Sequence, residues 1–582
     1  MLSRPSTLLS PAVAGWLALT LFAPSGRAEI AGTGGVTELL SLDSTGQQAT
    51  SSCSEPAVSE DARFVAFETH SALLPDDTNF QKDIYVLDRQ TGDLVCASTN
   101  QTGVFGNQIS RNPFISADGR WVVFDTLSDN LQSLDNNSQW DIFRKDLATG
   151  ELVRVSNAHL SPLAGGSASE HPSISDDGRY VAFESHSNDL IPNDTNGEAD
   201  VFVRDMLTGL TERVSDGVWG QSNGEAGRAM ISGDGLHVAF ESDASNLVLI
   251  DNNSAYDVFV KQIGFNPTLV SRTPGGSSGN DNSFDPTISS DGMRVAFSTI
   301  ATNLSATDTN GLADVYVYDV PTQTNVRASV TSAGNQVNSY SQGASIARDG
   351  QSVVFQSGGA IAPLDSPGTD VFVHDLQTGS SWTASLPSGT SQAANDNSLA
   401  GALALGGSGV VFSSEATNLV PGDMNAQHDV FLRTMHPDPF TYCSAPTTVQ
   451  GCVPQLTHTG YSSVSNADFF TLIGDDLPNH RSGLLFYGFE GQASNPWGGS
   501  TMCVAGIKRR TPLMTTGGLP LPANDCTGFF TFEMNDYAAG LIGGNPRPEL
   551  SVVGQVVNAQ FWGRQGPSGT YLTTALQYVV GP

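Results

Sequence analysis

Seven copies of one pattern dominate the chain. EPAVSEDARFVAFETH begins at Glu55, NPFISADGRWVVFDTL at Asn112, HPSISDDGRYVAFESH at His171, RAMISGDGLHVAFESD at Arg228 and DPTISSDGMRVAFSTI at Asp285. Two looser copies, GASIARDGQSVVFQSG and AGALALGGSGVVFSSE, begin at Gly343 and Ala400. Each is trailed by a run such as DIYVLD, DIFRKD or DVFVRD, whose opening Asp falls at 83, 141, 200, 257, 314, 370 and 429, so that the intervals are 58, 59, 57, 57, 56 and 59 residues. A unit of that size cannot bury its apolar face alone, and stacked neighbours have to supply the core.

Each copy resolves into four strands. A short strand such as PSIS ends at an Asp-Gly turn, a strong hairpin signal. A second strand ends in Val181-Ala182-Phe183 or its equivalent, a third begins at the recurring Asp, and a Thr-Gly turn leads to a fourth such as Thr211–Val214. Helical periodicity is absent, and Gly, Ser, Asn, Thr and Asp take the place of charged residues, which make up only 15%. The pattern predicts an all-β chain, a seven-bladed β-propeller. Its ends support closure. Residues 37–43 read as a fourth strand lying before the first copy, while the last copy stops after its third strand. The N-terminal strand is therefore expected to complete blade seven, which leaves no unpaired edge.

The P-x-x-S-x-D-G-x-x-V-A-F pattern followed by D-V-F-V-x-D resembles the WD-like propeller repeats of TolB-type exported proteins, over roughly residues 37–435. The resemblance implies the fold and is nearly silent on function, because its relatives include partner-binding proteins and the propeller caps of peptidases.

A second recurring element sits before each third strand: an acidic loop in which six of seven copies carry D-x-N-x-x-x-D. The residues are Asp77, Asn79 and Asp83; Asp135, Asn137 and Asp141; Asp194, Asn196 and Asp200; Asp251, Asn253 and Asp257; Asp308, Asn310 and Asp314; and Asp423, Asn425 and Asp429. The sixth copy keeps only Asp365 and Asp370. Alternating oxygen donors suit calcium, which is the one cofactor the sequence suggests. The competing reading is that Asp and Asn side chains tie the loops through Asx turns without metal, and these loops lack the bidentate Glu of a tight calcium loop. On either reading the loops and the blade-to-blade connections emerge on one face, which is the expected binding face.

The formal charge of −33 argues against nucleic acid and anionic membranes as partners. Arg4, the apolar run Pro11–Phe22 and small residues before a cut after Ala28 read as a signal peptide over residues 1–28, with no later membrane span. The propeller is then assigned to residues 29–436 of a secreted or periplasmic protein, expected to be monomeric. Beyond 436 the repeat vanishes, and residues 437–582 read as a small β-sandwich. Its GLLFYGFEG, N-D-C-T-G and Q-F-W-G-R-Q segments resemble a C-terminal module of exported planctomycete and myxobacterial proteins. Six cysteines in an exported chain favour disulfides. Nearest neighbours give Cys443–Cys452 and Cys503–Cys526, and Cys53 and Cys96 form either a third bridge or two buried free thiols.

Catalytic patterns are sparse. The single G-x-S-x-G match, Gly275–Gly279, falls in a Ser/Gly-rich connection rather than between a strand and a helix. No catalytic residue is assigned. The expectation is a non-catalytic binding or scaffold protein whose loop face meets a protein or glycan. The alternative is a polysaccharide hydrolase or lyase with carboxylates drawn from several blades.

Overall fold

The computed structural model describes residues 35–435 apart from 136, 363, 367 and 389–391, and beyond them the strands and helix between 440 and 579 with Thr511 and Leu550. The expected signal peptide lies outside these residues.

Seven four-stranded antiparallel sheets form the propeller. Blade 1 consists of Cys53–Val58, Phe64–Thr69, Asp83–Asp88 and Asp93–Cys96, and blades 2 to 6 repeat this over residues 110–154, 169–213, 226–269, 283–327 and 341–383. In each second strand the Val-Ala-Phe triplet is buried at every residue rather than at alternate ones: Val65, Ala66 and Phe67 are all 0% exposed. Both faces of a blade pack on neighbouring blades, so period-2 alternation gives way to a continuous apolar run. The triplet's ring lies opposite a ring of the third strand in every blade, as with Phe183 and Phe202 at 6.0 Å between centroids. Each apolar cluster joins adjacent blades; that of Ala66, Ile84, Val122 and Phe124 joins blades 1 and 2.

The Asp-Gly turns repeat their chemistry. In blade 3 Ser175 Oγ and the Arg179 N–H both donate to the Asp177 carboxylate, at 2.7 and 2.9 Å, which locks the hairpin as an Asx turn. Gly178 follows with φ +73, and a Cβ there would stand 2.1 Å from the Trp121 ring of blade 2. Only glycine meets both conditions.

Ring closure occurs as expected, with a shorter closing strand that starts two residues earlier and ends four earlier. The closing strand is Gly35–Leu39, not 37–43, and pairs antiparallel with Asp429–Met435, with Gly35 opposite Met435 and Leu39 opposite Phe431. Asp43 accepts the Thr45 and Gln47 N–H groups and turns the chain away, so the ladder cannot extend through residue 43. A cluster containing Leu40, Val58, Val65, Val411 and Leu432 joins blade 1 to blade 7 and completes the circle.

Cys53 and Cys96 are buried free thiols, so no third bridge forms. They occupy the innermost and outermost strands of one sheet, three strand spacings or about 14 Å apart, whereas a disulfide needs Cα atoms within about 7 Å. Burial pushes the Cys53 thiol up to about 12. The pairings proposed for Cys443, Cys452, Cys503 and Cys526 concern side chains outside the described residues.

Past residue 440 the strands Phe440–Tyr442, Ser482–Gly488, Arg509–Arg510, Met514–Thr515, Val556–Arg564 and Thr570–Val579 form one sheet. Gln455–Gly460, Phe470–Leu477 and Gly528–Glu533 form a second, and Gln492–Trp497 and Ser500–Val504 a hairpin. Leu456 and Leu472 of the second sheet share one buried cluster with Leu485, Tyr487 and Val557 of the first.

Candidate functional site: the mouth of the axial channel

The innermost strands surround an axial channel, and its two ends differ. At the Asp-Gly end it is stopped. The residue before each turn's Asp, and Leu405 in the Asp-less turn of blade 7, join a ring of backbone hydrogen bonds in which Glu60 N–H donates to Ala117 O at 3.0 Å, Asp176 to Gly233 O at 3.0 Å, Ser290 to Arg348 O at 2.8 Å and Leu405 to Glu60 O at 2.8 Å. Arg348 of blade 6 lies across the axis. Its guanidinium pairs with Asp176 of blade 3, lies 3.5 Å from Glu60 of blade 1 and donates to Ile115 O of blade 2 at 3.2 Å. Above this plug, Ile115, Ile174, Ile231, Ile288 and Ile346 line a narrow cavity of about 70 Å³.

At the loop-face end the channel opens into a cavity of about 240 Å³ lined by Glu55, Asn112, His171, Arg228, Asp285 and Ala344, among others. Each innermost strand carries a bulge here, as between Glu170 and Ser173. In five blades the bulged residue is non-glycine with left-handed φ: Glu55 at 49, Asn112 at 53, His171 at 51, Arg228 at 51 and Asp285 at 50. Such backbone costs about 1 to 2 kcal/mol per residue. The second strand of the preceding blade holds it in place by accepting the strained residue's N–H. Glu68 accepts from Asn112 at 3.1 Å, Glu184 from Arg228 at 2.7 Å and Glu241 from Asp285 at 2.8 Å; Gln356 accepts likewise from the unstrained Ala400 at 3.0 Å. The bulge re-aims these side chains from the sheet face into the mouth.

Electrostatics divide the mouth into paired and unpaired groups. Arg111 bridges Asp125 at 2.8 Å and Glu170 at 2.6 Å while its guanidinium lies 3.7 Å from the Trp140 ring centroid. Lys82 pairs with Glu68 at 2.7 Å and His171 Nδ1 with Glu184 at 2.9 Å. Burial alone would raise Glu184, but His171 holds it below the usual carboxylate range. Burial pushes Asp125 up to about 6 and Glu241 up to about 7, and raises Glu55, to which Glu68 also contributes. The side chains of Glu55, Arg228 and Asp285 have no hydrogen-bond partner among the described residues. Glu170, His171 and Glu184 bring ligand atoms within 4.8 Å of one another, a spacing that suits a metal ion. Each of the three is already engaged by a protein partner.

The acidic loops are spread over the blades and serve the loops themselves. In every blade the third-strand Asp accepts from a Ser hydroxyl that follows the outer strand. Ser98 donates to Asp83, Ser156 to Asp141, Ser271 to Asp257 and Ser329 to Asp314 at 2.5 Å, Ser385 to Asp370 at 2.7 Å, and Ser215 to Asp200. Ser41, just past the closing strand, serves Asp429 at 2.5 Å. All six Asn residues donate to a carbonyl of the connection to the next blade, as Asn79 does to Gly106 O at 2.8 Å and Asn425 to Ala49 O at 2.9 Å. Between the paired carboxylates stand protein groups. Gln48 reaches Asp423 and Asp429, Gln336 reaches Asp308 and Asp314, Arg213 lies near Asp194 and Asp200, and Arg154 lies near Asp135. In blade 1 the Tyr85 hydroxyl donates to Asp77 at 2.5 Å. In blade 4 Asn253 bonds Asp257 while one oxygen of Asp251 is unpartnered, as is one of Asp365 in blade 6. Gly275–Gly279 forms a turn closed by Thr273 N–H to Ser277 O at 2.8 Å, with no elbow geometry.

Sequence reasoning placed the loop face but missed the mouth residues. Their signal was present: they open the seven copies, and no two copies share the residue, which runs Glu, Asn, His, Arg, Asp, Gly and Ala. Variation at one position of an otherwise regular motif marks a place that packing does not dictate.

No family profile and no curated protein matches the chain. Solved structures with a related arrangement include a putative TolB from Agrobacterium tumefaciens, 16% identical over 52% of this chain and 87% of that one, with a TM-score of 0.32. A prolyl endopeptidase is 12% identical over 74% of this chain and 56% of its own, with a TM-score of 0.39. A puromycin-hydrolysing peptidase from Mycobacterium tuberculosis is 13% identical over 75% and 55%, with a TM-score of 0.36. This chain spans little more than half the length of the two peptidases, and at these scores the likenesses carry no argument about activity. The seven-bladed architecture rests on the sheets themselves.

Proposed function

We propose that this chain is an exported, non-catalytic binding or scaffold protein that presents the channel mouth on its loop face to a protein or glycan. The observation that carries this reading is the convergence of five strained polar side chains at the open end of a channel whose other end is plugged. A sheet interior gains nothing from holding Glu, His, Arg and Asp at left-handed φ, and strain retained in this way clusters at sites of use. Screening the full chain on glycan and peptide arrays tests it. Binding should be lost on His171→Ala and Arg228→Ala and retained on Leu207→Ala, an exposed position in the blade 3 Thr-Gly turn. Binding that ignores the mouth variants would refute the assignment.

One observation favours a second reading, a polysaccharide hydrolase or lyase: Glu241, pushed up to about 7, is a carboxyl able to donate a proton near neutrality. Release of reducing ends or of unsaturated uronates from a polysaccharide panel, abolished by Glu241→Gln, would establish it in place of the first.

A further inference from the structure

Resting on the binding reading above, we infer that the mouth receives a basic side chain, Lys or Arg, of an extended protein segment. Charge is the first argument. Once Lys82 has paired with Glu68, Arg111 with Asp125 and Glu170, and His171 with Glu184, the lining carboxyls Glu55 and Asp285, and Glu241 bonded to the Asp285 N–H, remain without a cationic partner, against one guanidinium, Arg228. An ammonium or guanidinium entering there meets the carboxylates of Glu55 and Asp285, which no donor among the described residues satisfies, and that of Glu241, one oxygen of which accepts the Asp285 N–H; such charge-assisted bonds are the strong ones. Size is the second. At about 240 Å³ the mouth is smaller than the roughly 300 Å³ at which pockets hold a whole small-molecule ligand, and it suits a single long side chain. The Arg348 plug stops the segment from threading through, so only a side chain descends. The wall is the third. Blades 6 and 7 offer Gly343 and Ala400 where the other blades offer large polar residues, leaving a low rim over which an extended backbone can lie, with Arg228 free to donate to its carbonyls. Burial and the neighbouring Asp285 keep Glu241 partly protonated at neutrality, and a bound cation pulls that proton off.

The test begins with selection of random linear peptides on the full chain. A Lys or Arg should be enriched at one position. Affinity of the selected peptide is then compared with that of its acetyl-lysine or citrulline counterpart. A loss of roughly tenfold or more is expected, and the Glu55→Gln/Asp285→Asn double variant should lose as much. Those two side chains make no hydrogen bonds, and an unchanged melting curve verifies that the double variant folds. Calorimetry in two buffers of different ionisation heat should show proton release on binding at pH 7, absent in Glu241→Gln. Enrichment without a basic residue, or indifference to citrulline, overturns this inference and leaves the binding reading standing. Retention of an amino-sugar oligomer with no peptide selected overturns the protein partner. If no ligand depends on the mouth residues, both fall.

Discussion

Gly178 and Arg228 have similar backbone angles for opposite reasons. Gly178, with φ +73, lies against Trp121, so Gly178→Ala adds left-handed strain and forces the indole aside. The change is expected to cost about 3 kcal/mol in chemical denaturation. Arg228, with φ 51, has an exposed side chain without a hydrogen bond. Arg228→Gly relieves the strain while making the unfolded chain more flexible, and should stabilise by up to about 1 kcal/mol while weakening ligand binding. A residue whose removal strengthens the fold and harms binding is one retained for use. If Arg228→Gly destabilises, the mouth strain has a structural purpose instead.

The repeating elements are the acidic loop and the closing strand. Asn253 donates to Asp257 at 2.8 Å and to Gly279 O at 2.8 Å, and its own carbonyl accepts the Ala255 N–H at 3.0 Å. Asn253→Ala leaves one oxygen of the buried Asp257 carboxylate without its donor and is expected to cost about 2 to 3 kcal/mol. Because side-chain amides and guanidiniums already stand between most of the loop carboxylates, millimolar calcium should leave the melting temperature unchanged. A rise of several degrees would show that the ion binds the folded loops. Deleting residues through Ser41 removes the strand paired with Asp429–Met435 and the Ser41 hydroxyl on Asp429, exposing an edge in blade 7. The truncated chain should melt at lower temperature and associate at high concentration, measured by light scattering.

For the whole molecule the titrating groups oppose one another. Asp88 and Asp146 are held down to about 2, chiefly by hydrogen bonds from Arg63 and Arg120, so the stability they contribute is present above their unfolded value near 4 and lost as pH falls toward 2. Asp83 and Asp125 at about 6, and Asp141, Asp257 and Glu241 at about 7, are raised chiefly by burial. There the folded state holds protons that the unfolded chain releases, so stability falls as pH rises from about 4 to about 7. A net charge of −33 at pH 7 adds self-repulsion over the same range. Calorimetric melting between pH 3 and pH 8 should show maximal stability near pH 4 to 5. A maximum at or above pH 7 would contradict the burial assigned to these carboxylates.

The sequence by itself determined the all-β class, the number of blades, the hairpin turns and the closing of the ring. Each follows from a local pattern repeated at a constant interval, and repetition turns weak local signals into a strong one. It also reached the Asx-turn alternative for the acidic loops, because that chemistry spans only a few consecutive residues. Only the tertiary structure decided the rest. Cys53 and Cys96 flank the first copy in sequence but lie at opposite edges of a sheet. Arg348 meets Asp176 across 172 residues of chain, so no local pattern announces the plug. The mouth depends on a bulge that turns one residue per blade toward the axis, and on carboxylates of neighbouring blades that hold the turned backbone. Five residues from five copies, separated by whole blades in sequence, become one site only when the ring closes.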